Sequence, residues 1–78
     1  GALRRVRGRL SAIDLDTQAG QLRLAGTREG SEVTIELAPG AAMTVLSGAR
    51  RLDEILAPGR NEMRVLAGPQ AILQLPER

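Results

Sequence analysis

Apolar and polar residues alternate along this chain, and glycine or proline interrupts the alternation every few residues. A period of two sends successive side chains to opposite faces of an extended backbone, so each such stretch reads as a half-buried strand. Residues 3–16 open the pattern. Val6, Gly8, Leu10 and Ala12 point one way, and Arg5, Arg7, Arg9 and Ser11 point the other. The apolar phase then moves by one residue, to Ile13 and Leu15, as a β-bulge would move it, and Gly8 offers a second bending point. A long, bent opening strand suits a small closed barrel in which one strand serves two sheets.

Further along, residues 16–20 read as a turn, with Gly20 available for positive φ. Leu22 and Leu24 flank Arg23 in a second strand. After a turn over residues 26–31, Val33, Ile35 and Leu37 alternate with Glu32, Thr34 and Glu36 in the cleanest strand of the chain. Pro39-Gly40 breaks that run, and residues 42–46 read as strand again, either a sixth strand or the third resuming beyond a kink. Residues 47–57 form the one helical segment expected. Ser47 can cap it, Ala49, Leu52, Ile55 and Leu56 share a face, and Pro58-Gly59 ends it. Met63 and Val65 mark a following strand, Gly68-Pro69 a turn, and residues 71–75 the last strand, facing inward through Ala71, Leu73 and Leu75 or through Ile72. This order predicts an all-β fold over residues 1–78 as one domain. It is a small OB-like barrel of five to six strands, with one short helix between the third and fourth.

Composition narrows the chemistry. The 78 residues contain no His, Cys, Phe, Tyr or Trp, and all eleven basic residues are Arg. Without His or Cys there is no common soft metal ligand, thiol nucleophile or imidazole base, and without Lys no Schiff-base amine. Without rings there is no platform on which bases stack. The core must then be aliphatic, and a chain this short hides only about 60–65% of its unfolded surface. Self-association or attachment to a larger chain is the expected supplement. The net charge of +2 is small, and no apolar run reaches membrane-spanning length, so membrane insertion is not expected. The Gly, Ala, Arg and Pro content suits a GC-rich genome that uses Arg in place of Lys. A deliberately simplified sequence would look similar, and the irregular surface favours the natural origin. The Gly-Ala opening suits a processed or excised piece, cytoplasmic or exported after leader removal.

The spacing Val6-x-Gly8-x-Leu10-x-x-Ile13-Asp14, then Leu22-x-Leu24 and Val33-x-Ile35, resembles an uncharacterised bacterial family of small single-OB domains. That family is distantly like the periplasmic copper-chaperone OB proteins. Leu52-x-x-Ile55-x-x-Pro58-Gly59, followed by Met63 and Val65, is similar to the family's Leu-rich turn before a strand. The likeness covers residues 6–65 and implies a small, often exported barrel. A weaker resemblance is to the molybdate-binding OB barrels that follow transporter ATPase domains, with Leu3-Arg4-Arg5-Val6 and Ile55-Leu56-Ala57-Pro58-Gly59 in the corresponding places. The Lys of those barrels has no counterpart here. The copper chaperones' site lacks its His and its ring, so copper does not carry over.

The candidate binding residues are Arg5, Arg7, Arg9 and Arg23. The first three project from one strand face, and Arg23 is expected beside them on a paired strand. Guanidinium forks match phosphate oxygens, so nucleic acid or a small anion is one possible partner. The competing reading is a solvated outer face balanced by Asp14, Glu32 and Glu36, and the lack of stacking rings favours it. Asp14 and Asp16 read as turn formers, Met43 and Met63 as core filler, and no hydroxyl has a base partner. No catalytic residue, metal ligand or cofactor site is expected. The chain reads as a non-enzymatic binding or assembly module, in which an exposed edge strand of the barrel pairs with another protein or a second copy.

Overall fold

The computed structural model describes residues 1–52 and 61–76, and within them six antiparallel strands and no helix. They are β1 (Leu3–Gly8), β2 (Ala12–Asp16), β3 (Gln21–Ala25), β4 (Ser31–Leu37), β5 (Thr44–Arg51) and β6 (Asn61–Gln74). The sheet is organised around β6. On one side its first half pairs with β4 and its second half with β3, while β5 runs along its other side. β1 flanks β4, and β2 flanks β3. The strands thus act as bent ribbons lying in the order β1–β2, β3–β4, β6, β5.

All the ribbons bend along one line. The first is interrupted at residues 9–11 and the second at residues 26–30, β5 bends at Gly48, and β6 bends over residues 68–70. Gly26 N–H donates to the Gly68 carbonyl at 2.8 Å, tying two of these bends together. The backbones approach too closely there for side chains. A Cβ on Gly48, which has φ 72°, would overlap the Gln70 carbonyl, and one on Gly26 would overlap that of Ala67. The bend folds the sheet over its own apolar face into a curled half-barrel. Val33, Ile35, Met63 and Val65 of one half meet Leu22, Leu24, Ala71 and Leu73 of the other in a single aliphatic core. Met43 fills the end of that core, and the Asn61 side-chain amide holds the preceding loop by donating to the Ala38 and Ala41 carbonyls at 2.6 and 2.7 Å.

Several expectations change. The expected helix over 47–57 is strand as far as Arg51, because those residues pair with β6 and the positive φ of Gly48 suits a bent strand rather than a helix interior. The remainder of that segment, residues 53–57, lies outside the described residues. Gly68-Pro69 does not turn the chain back. β6 runs through it as a bulge opposite Gly48, where Pro69 has no ladder bond to lose. The last strand faces inward through Ala71 and Leu73, with Ile72 outward. Among the described residues no ladder joins β5 to β1 or β2, so this half-barrel presents two sheet edges.

Candidate functional site

Register places the arginines. Arg5 lies opposite Glu36 and Arg7 opposite Thr34, on the outer face of β1, and Arg9 follows beyond the strand end. Arg7 reaches diagonally to Glu62, with Nη2–Oε2 3.1 Å, and Arg64 pairs with Glu32. Arg23 is not beside them. It sits on β3, in the other half of the sheet, opposite Asp14 and 3.6 Å from Asp16. The expected four-residue patch is therefore divided by the bend, since β2 rather than β1 is the neighbour of β3. The outer face carries mixed charge in both halves: Arg5 lies opposite Glu36 and Arg23 opposite Asp14, which favours pairing, while Glu36 and Glu62 lie directly opposite each other.

Asp16 has structural partners. Asp16 Oδ1 accepts from the backbone N–H groups of Gln18 and Ala19, at 3.1 and 2.9 Å, and so closes the turn before Gly20. Its Oδ2 faces Arg23. Met43 and Met63 are buried in the core. Among the described residues there is no cluster of three or more potential metal ligands and no helix long and apolar enough to cross a membrane.

Sequence reasoning expects an exposed edge but does not say which strands form it; one such edge is the outer side of the β1–β2 ribbon. Ile13 lies opposite Leu24, and Leu15 opposite Leu22. Residues directly opposite in an antiparallel pair share a face. Ile13 and Leu15 therefore sit on the core side of the sheet, yet they are 53% and 45% exposed, whereas Leu22 is fully buried. Among the described residues, the core face runs out to this edge only half covered. Beside it, a groove of about 630 Å³ is lined by Leu3, Leu15, Gly20, Gln74, Leu75 and Pro76.

Hydrogen-bond direction shows what the edge offers. Within a strand, successive residues turn their N–H and C=O alternately to one neighbour and the other. Gly26 N–H donates to the Gly68 carbonyl, and Leu75 N–H to that of Gly20, so Leu22 and Leu24 face β6 and Arg23 and Gln21 face β2. Asp14 and Asp16 accordingly face β3, leaving the peptide groups of Ile13 and Leu15 pointing outward. Leu52 N–H donates to the Arg64 carbonyl, which turns Met63 and Val65 toward β4 and Thr34 and Glu36 toward β1. Arg5 and Arg7 answer them, and Val6 and Gly8 point outward. The signal was present in the sequence as the one-residue shift of apolar phase between Gly8 and Ile13. Without knowing which edge is covered, that shift reads only as a bulge.

No family model, curated protein or solved structure matches this chain.

Proposed function

We propose that this protein is a non-enzymatic assembly module that joins protein chains by extending its sheet across the β1–β2 edge. One observation carries the reading: an edge whose peptide groups point outward at Val6, Gly8, Ile13 and Leu15 also bears exposed apolar side chains on the core face. Natural sheets blunt free edges with inward charges, proline or very short strands, and an edge left apolar suits a pairing partner. A core without a single aromatic ring gives the module reason to gain from such contact.

The competing function is binding of nucleic acid or a small anion through arginine alone. Its support is Arg5 and Arg9, which make no ion pair among the described residues. Salt separates the two readings. Sedimentation velocity across a concentration series, at low and at high sodium chloride, is run beside titration of a fluorescein-labelled oligothymidylate. Assembly predicts a mass that grows with concentration and persists at high salt. A monomer at every concentration, with oligonucleotide affinity falling steeply as salt rises, would overturn it in favour of anion binding.

A further inference from the structure

Resting on that assembly reading, we infer that the partner at this edge is a second copy of the same chain, paired antiparallel about a two-fold axis between Leu10 and Ser11. The residues of the ribbon determine the register. Arg5 falls opposite Asp16 of the second copy, Val6 opposite Leu15, Arg7 opposite Asp14 and Gly8 opposite Ile13. Symmetry repeats every pair.

Independent requirements meet in this register. The first is face. In β1 the core-side residues are Val6 and Gly8, and in β2 they are Ile13 and Leu15, because the apolar phase shifts between the two strands. That shift brings core side to core side and charged side to charged side when the ribbon pairs with its own reverse. Without it, one copy's apolar face would meet the other's solvent face.

Hydrogen bonding is the second requirement. Val6, Gly8, Ile13 and Leu15 all turn their peptide groups outward. Val6 with Leu15, and Gly8 with Ile13, are thus bonded pairs, while Arg5 with Asp16 and Arg7 with Asp14 are the non-bonded pairs. Side chains approach most closely at non-bonded positions, which suits ion pairs.

Charge is the third. β1 presents Arg5 and Arg7, and β2 presents Asp14 and Asp16, so like meets unlike only when β1 of one copy faces β2 of the other. The new pairs adjoin opposite charges within each copy: Glu36, Arg5, then Asp16 of the second copy; and Arg7, then Asp14 and Arg23 of the second copy. Pairing β2 with itself sets aspartates against each other, and pairing β1 with itself sets arginines together.

Shape also agrees. A two-fold axis along the bisector of the bend exchanges the two arms of the ribbon and keeps the concave side concave. The two half-barrels then stack into one continuous curled sheet, with Ile13 of one copy lying over the bare backbone of Gly8 of the other.

The test combines charge reversal with cross-linking. R7D alone, and D14R alone, should each weaken self-association roughly tenfold or more, and an equimolar mixture of the two variants should associate more tightly than either. Circular dichroism confirms that each variant remains folded. The chain has no cysteine, which allows a second measurement that keeps the native charges at one of the two symmetry-related pairs. R7C and D14C chains, mixed and gently oxidised, should give mainly the mixed disulfide dimer, because non-bonded antiparallel positions lie within disulfide reach. Association that ignores charge reversal, with cysteines cross-linking at random or not at all, would overturn this register and leave edge-mediated assembly standing. A protein that stays monomeric at every concentration overturns both.

Discussion

Gly48 carries more of this fold than its size suggests. It has φ 72°, and the Gln70 carbonyl occupies the space a Cβ would need. Helix propensity alone makes Gly48→Ala stabilising by about 1 kcal/mol, since Ala is the better helix former. The bent strand reverses the sign. Backbone strain at positive φ adds about 1–3 kcal/mol, and displacing β6 at the bend adds more, so we expect a loss of about 3 kcal/mol in urea denaturation. An increase in stability would restore the helix and remove the bend. The error in reading residues 47–51 has a definite cause. Ala49 and Leu52 fit a helical face as well as a strand edge, and only the partner strand decides between them. The turn at Gly20 was legible for the opposite reason, because its geometry is local and Asp16 closes it with its own side chain.

At the scale of the element, β2 and β3 form a contrast in one ladder. Leu22 and Leu15 are cross-strand partners on the same face, one fully buried and the other 45% exposed. Leu22→Ala should cost about 3 kcal/mol, the usual loss when a packed leucine leaves a cavity. Leu15→Lys should leave the dilute protein within about 0.5 kcal/mol of the parent, because that side chain already meets water. The same substitution places a charge on the core side of the free edge and should abolish concentration-dependent association. Denaturation at low concentration checks the first pair of values, and light scattering at high concentration checks the last. A Leu15→Lys protein that associates like the parent would move the contact elsewhere. The alternation that defined β3 and β4 was readable from sequence because both are covered on their inner face. In β2 the same alternation was equally clear, but burial depends on what lies beyond the edge, and no residue of β2 encodes that. Arg23 was misplaced for a related reason: its strand was recognised, its neighbour was not.

For the molecule as a whole, the arrangement of ladder bonds predicts which amides are shielded, and this can be followed residue by residue. In the single chain, Arg5, Arg7, Asp14 and Asp16 direct their peptide groups into the sheet, while Val6, Gly8, Ile13 and Leu15 direct theirs to solvent. Amide hydrogen exchange followed by NMR on dilute protein should therefore alternate along the ribbon, slow at the first set and fast at the second. Paired with a second copy, every second-set amide gains a carbonyl acceptor, so the alternation should vanish as concentration rises. The outer edge of β5 is the built-in control. Among the described residues no strand pairs with it, and the two-fold arrangement adds none, so the exchange of its outward amides should not change with concentration. Protection that grew on β5 while the β1–β2 ribbon kept its alternation would mean that the sheet extends from its other edge. The aspartates and arginines of the ribbon would then be no more than a solvated ladder. Protection growing at both edges would indicate an open chain of copies rather than a closed pair, because a two-fold contact uses one edge from each copy and is complete.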